Sequence, residues 1–264
     1  MSSSITVTSH PSVQYLLRIG DTCLILAQRL AEWSGHAPIV EEDIALSNMA
    51  LDLVGQARAV LTRTGAMEAE LGGEAHDEDQ LAFLRDERDF RNCTIVELPR
   101  GDFALTMLRI CALAIFLKLL WQRLEGSADE ELAAIAGKAV KEARYHQEHS
   151  SGWVVRLGDG TAESTLRTKA ALELLWPYVA EIFEADAIDD AAAGIGLGPR
   201  WADLQDEWRR EFGTVLTVLS AAGLELPAER AFLSTGKAGR HSEHLGYVLA
   251  EMQFLQRAYP GGVW

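Results

Sequence analysis

The stretch Lys141-Glu142-Ala143-Arg144-Tyr145-His146-Gln147-Glu148-His149 holds a carboxylate and two imidazoles at helical spacing. On an α-helix Glu142, His146 and His149 share one face, and such a set could ligate iron. A di-iron carboxylate centre in a helical bundle needs more than this. It takes Glu from two helices and Glu-x-x-His from two others, because residues i and i+3 lie on one face. Here the residue three after Glu142 is Tyr145, and the histidine stands one place later, at His146. The pair is out of register. From Phe103 to Leu124 there is no Asp, Glu or His, and the charged side chains are Arg109, Lys118 and Arg123. A cation such as Lys118 beside a metal cavity opposes binding. Elsewhere Asn48, Asp52 and Gln56 recur at four-residue steps, and Asp21, Gln28 and Glu32 are the polar candidates of the first helix. None completes a ligand pair. Gln56, Lys118, Glu142, Tyr145 and His146 therefore read as a degenerate site, with no catalytic, cofactor-binding or metal residue assigned. Buried hydrogen bonding is the commoner use of such groups. Inward carboxylates would pair with Lys118 or Arg109 in place of a metal. The enzyme alternative is a metal-dependent oxygenase using Glu142, His146 and His149.

Other motifs are weaker. His241-Ser242-Glu243-His244 offers H-x-x-H, which matches by chance so often that surface or interface histidines are expected. There is no Gly-x-Ser-x-Gly, no P-loop and no G-x-G-x-x-G, and Gly158-Asp159-Gly160 reads as a helix connection. Cys23, Cys93 and Cys111 form no C-x-x-C pair, and Cys23 and Cys111 lie among apolar residues, where a thiol acts as a small hydrophobe. They point to neither an oxidising compartment nor a thiolate metal site.

The elements that would position these residues are helices. Only seven prolines occur, and helix formers dominate. Apolar residues at three- and four-residue steps predict a first helix over 13–33 and a second over 41–63. Residues 65–100 are less regular, and the mixed-sign run Arg85-Asp86-Glu87-Arg88-Asp89 reads as a solvated surface. A helix over 102–125, apolar nearly all round, should be central. Ser127-Ala128-Asp129-Glu130 matches a capping box opening a fourth helix that reaches Leu157. Thr161 caps a fifth, to Asp186, with Pro177 expected to kink it. After the glycine-rich 194–199 come a sixth helix over 201–222, a loop at Pro227 and a last helix over 241–258. The expectation is all-α: one ferritin-like helical domain over 1–264, with four long helices forming an antiparallel bundle and residues 1–10 a disordered tail.

Composition narrows the partners. The 264 residues are 48% hydrophobic and carry a formal net charge of -15. An acidic surface repels phosphate backbones and anionic lipid, which argues against nucleic acid and membrane. It also repels the phosphates of acyl-CoA. The segment 104–124 is the one candidate span, but Arg109, Lys118 and Arg123 would cost roughly 2.5–3.5 kcal/mol each near a bilayer centre. The first nine residues have no signal-peptide pattern, so a cytoplasmic location is expected.

Several strings together resemble a known family. RIGDTCLILAQRLAEWSGHAP from Arg18 to Pro38, Leu51 to Arg58, Leu81-Ala82-Phe83 with Arg85-Asp86-Glu87, and Gly101 to Ala104 are among them. So are Lys141 to His146 and the end, from Glu243-His244-Leu245-Gly246 through Ala250-Glu251-Met252-Gln253 to Trp264. They are similar to the C subunits of the ring-1,2-phenylacetyl-CoA epoxidases. The resemblance implies a ferritin-like fold and a role in aerobic phenylacetate breakdown as a structural, non-catalytic subunit. It implies no cofactor in this chain, and a catalytic partner that carries the di-iron centre and binds the CoA ester. It further implies a small accessory subunit, and a reductase with FAD and an iron–sulfur cluster that uses NADPH. Against it stand a ferritin-like binding module and a purely structural bundle.

Overall fold

The structure, a computed structural model, describes residues 4–217 and 232–262. Among these lie nine α-helices: α1 (Pro11–Ala31), α2 (Val40–Glu70), α3 (Glu78–Phe83), α4 (Phe103–Leu124), α5 (Glu130–Gly158), α6 (Ala162–Ile182), α7 (Ala187–Gly194), α8 (Gln205–Thr217) and α9 (Glu243–Ala258). The described residues contain no β-strand, only an isolated bridge between Thr235 and Arg240. The all-α expectation holds. The chain forms two compact units, one of Met1–Pro99 with Thr235–Trp264 and the other of Arg100–Ser234.

In the first unit α1 and α2 pack side by side, and α3 and α9 pack on one another. Pro11 opens α1, where its missing N–H costs nothing, and the His10 side chain accepts from the Ser12 N–H. The second helix runs two turns beyond the expected stop at Arg63, straight through Gly65. Gly65 is not a terminator. A Cβ there would lie 1.8 Å from the carbonyl oxygen of His76, so glycine is present to let the following loop cross the helix. Residues 4–10, expected to be a loose tail, have no regular secondary structure but are anchored. Ile5 N–H donates to the Leu84 carbonyl (3.1 Å), and Thr8 N–H donates to Glu68 Oε1 (2.7 Å). The Gln14 side chain donates to the Thr8 carbonyl (2.7 Å). Residues 1–3 lie outside the described residues.

In the second unit α4 packs on α5, α6 and α8. Among the described residues it is the one helix long and apolar enough to cross a bilayer, but 89% of its apolar window is buried inside the protein. Its burial on nearly every face is what its sequence demands. The cap of α5 differs from expectation. Asp129, not Ser127, accepts from the Leu132 N–H, while the Ser127 hydroxyl donates to the Leu197 carbonyl. The fifth predicted helix is divided in two: α6 ends at Ile182, and Asp186 caps the separate helix α7 through the Ile188 and Asp189 N–H groups. Thr161 caps α6 as expected, and the helix continues past Pro177. The expected extension of the next helix to Ala222 and the loop at Pro227 lie outside the described residues. Trp121, Trp201 and Trp208 are fully buried, and Trp208 Nε1–H donates to the Ala112 carbonyl (2.7 Å).

Candidate functional site

The residues singled out by their chemistry fall in both units. In the second unit Lys118 projects from α4 and forms an ion pair with Glu211 of α8. The same Glu211 oxygen, Oε2, accepts from Gln147 Nε2 of α5 at 2.9 Å. A carboxylate does meet the cation of α4, but it comes from α8 and not from the first helix. Lys118, Gln147 and Glu211 thus tie three helices with a small, mostly buried polar cluster.

On α5, Glu142 is half-buried and pairs with Lys138 one turn earlier (3.5 Å). Tyr145, which stands where a ligand histidine would belong, is exposed, and its ring centroid lies 6.2 Å from that of His146 and 5.9 Å from that of His149. His146 is buried, and its main-chain carbonyl accepts from the Ser150 hydroxyl at 2.6 Å. Between α4 and α5 Cys111 Sγ lies 3.4 Å from Ser151 Oγ. Complete burial pushes the Cys111 thiol up to about 12, against a slight lowering by Ser151 and Ser150, so it stays a neutral thiol.

In the first unit Gln56 of α2 is buried, and Cys23 Sγ approaches its Oε1 at 3.7 Å. Asp21 of α1 is also buried, and its charged partner, Arg85, comes from the run read as solvated. Arg85 binds both Asp21 oxygens, and the Arg91 N–H donates to Asp21 Oδ2 (2.8 Å). Arg85 is fully buried, with its guanidinium 4.2 Å from the Phe90 ring centroid. The mixed-sign run is therefore not a solvated face at its first residue: Arg85 folds inward because Asp21 needs a cation where water is excluded. Burial also depresses Arg91, opposed by the Asp21 and Asp89 charges.

Glu97 and Glu68 are among the further buried carboxylates. Glu97 accepts from the Asn92 side chain (2.8 Å) and the Ser242 N–H (2.7 Å), and its Oε1 lies 2.7 Å from His241 Nδ1. The His241 ring is wholly buried, so this histidine is an internal link to the C-terminal segment and not the expected surface group. Glu68 similarly meets His76 Nδ1 at 2.9 Å. The only available signal was the residue types; their partners lie 144 and 8 positions away.

The donor set can now be tested against a di-iron centre. Among the described residues no three His, Cys, Asp or Glu side chains gather as metal ligands would. The groups on and around α4 are those of a lysine–carboxylate pair, and α4 supplies no ligand of its own. Among the described residues, neither unit holds a donor set that fits that group.

These features belong to a known class of protein. The chain belongs to the family of the phenylacetic acid catabolic protein, whose model matches residues 2–264, and it has that family's ferritin-like helical fold. In particular, it is similar to the C subunit of 1,2-phenylacetyl-CoA epoxidase from Escherichia coli (strain K12), with 49% identity over 252 residues, 95% of this chain and 98% of the relative. The resemblance read in the sequence holds.

Proposed function

We propose that this chain is a structural, non-catalytic subunit of a cytoplasmic phenylacetyl-CoA 1,2-epoxidase, binding and supporting the catalytic di-iron subunit in aerobic phenylacetate degradation. The observation that carries this reading is α4. It has 22 residues, no carboxylate and no imidazole, and its Lys118 is already held by Glu211. A ligand-bearing helix of a di-iron bundle would instead present Glu or Glu-x-x-His inward. The 49% identity to the C subunit of an epoxidase supplies the reaction and implies partners.

A ligand-free bundle can still serve catalysis. Iron ligands hold their geometry only if a rigid surround fixes them, and a packed sister subunit provides that. The net charge of -15 favours a basic groove for the CoA phosphates on the catalytic partner and not on this chain. The iron belongs to that partner. A small accessory subunit and a reductase carrying FAD and an iron–sulfur cluster, fed by NADPH, complete the complex.

The test is metal content of the chain purified alone and with its co-expressed catalytic partner. The expected result is no iron alone and about two iron ions per heterodimer. Iron on the chain alone, lost in Glu142→Gln and His146→Ala, would overturn the reading and make the chain itself the oxygenase.

A further inference from the structure

The segment that leads into α9 is fitted closely to the first unit. Gly236 N–H donates to Thr94 Oγ1 (3.1 Å), and a Cβ on Gly236 would lie 2.5 Å from the Asn92 carbonyl oxygen. Only glycine allows the two main chains to lie so near one another.

His241 closes this contact, and the surroundings of its two ring nitrogens define its protonation. Nε2 lies 3.0 Å from the Phe90 carbonyl oxygen, which can only accept, so Nε2 carries a hydrogen. Nδ1 lies 2.7 Å from Glu97 Oε1. Both Glu97 oxygens already accept elsewhere: Oε1 from Asn92 Nδ2 (2.8 Å) and Oε2 from the Ser242 N–H (2.7 Å). An ionised carboxylate is the group such a set of donors suits, so Nδ1 donates as well. The ring is then an imidazolium, paired with Glu97 where both side chains are wholly buried. His76 shows the contrast. Its Nδ1 meets Glu68 at 2.9 Å, but its Nε2 lies 3.8 Å from Glu74 Oε2, beyond hydrogen-bonding reach. A neutral ring satisfies that site.

Other charges stand around the His241 pair. Arg29 of α1 donates to the Glu97 main-chain carbonyl and pairs with Glu32. Arg91 shares the Phe90 carbonyl with the His241 ring, and its own N–H is held by Asp21. Lys237 is buried four residues before His241. These cations oppose a charge on the ring, and Glu97 is the anion that retains it.

We propose that Glu97 and His241 form a proton-held latch, which takes up one proton as the C-terminal segment docks and frees Thr235–Ala258 when that proton is lost. The inference stands apart from the proposed function. Its sign follows from linkage. An unfolded histidine is neutral above about pH 6.5, so above that pH the docked segment holds one proton more than the released one. The latch is fully closed below that value and weakens as pH rises.

The test uses the full-length chain. Nitrogen-15 spectra of the histidine rings near neutral pH are expected to show both nitrogens of His241 protonated and one nitrogen of His76 bare. Hydrogen exchange across 235–258, corrected for the intrinsic rate, is expected to show opening that grows about tenfold per pH unit above about pH 7, the response to one released proton. In His241→Gln that slope should vanish. A bare Nδ1 on His241 overturns the inference. So does wild-type opening that stays flat across that range, or a slope that survives in His241→Gln. If the variant does not fold, the ring spectra and the wild-type slope still decide the matter.

Discussion

Asp21 and Arg85 illustrate how much a single buried pair decides. Both are fully buried, and Asp21 also receives the Arg91 N–H, so removing its charge leaves a guanidinium without an anion inside the protein. Asp21→Asn is expected to cost about 3–5 kcal/mol, read as a lower urea midpoint with unchanged slope. Replacing Asp21 and Arg85 together by apolar residues of similar volume should recover most of that loss, as buried pairs commonly do. The pair was illegible in the sequence for a physical reason. Its members lie 64 positions apart, and Arg85 opens a run whose other charges are exposed or half-buried. The lack of Glu and His on α4, and of a His three places after Glu142, needed no structure, because the presence or absence of Glu and His at i, i+3 is a property of the string itself. What the string could not supply was the partner of Lys118, since Glu211 stands 93 positions away on a helix not suspected of facing α4.

At the scale of elements, the helices themselves were largely readable and their ends were not. Apolar periodicity located α1, α2, α4, α5 and α9, since each buries one face or more. The errors came where tertiary contacts override local chemistry. Ser127 fits a capping box, yet its hydroxyl is taken by Leu197 and the cap falls to Asp129. Gly65 looks like a stop but lies inside α2 beneath His76. Gly65→Ala should therefore destabilise the protein by about 1–3 kcal/mol, despite the better helix propensity of alanine. Chemical denaturation, with hydrogen exchange across 60–76, would detect it; an unchanged midpoint would mean the crossing loop relaxes freely. The tryptophans offer a similar lesson. Those described are buried or half-buried, and the exposed aromatics are Tyr145, Tyr247, Phe254 and Tyr259 among others. Residue type alone does not tell an interface anchor from a core residue.

For the molecule as a whole, the net charge has a measurable consequence. The chain alone should show no retention on immobilised CoA at about 50 mM salt, whereas the assembly with the catalytic partner should be retained; retention of the isolated chain would place a phosphate-binding groove here. The fold class was readable throughout, but the division into two units was not, because no linker or composition shift marks it. The first unit is built from both ends of the chain. Gly236 donates to Thr94, His241 meets Glu97, and Gln253 donates to the Ala82 and Arg85 carbonyls. The second unit is a single unbroken stretch. On the ribosome these two arrangements mature in a different order from the one their sequence positions suggest. At roughly 5–20 residues per second, the stretch from Arg100 to Ser234 is complete about 8–30 s after α3, and α9 follows it. The later-made unit is complete first, while α1, α2 and α3 wait for their final helix with Glu97 lacking His241. A nonsense codon before Thr235 would therefore damage the N-terminal half of the protein more than the middle.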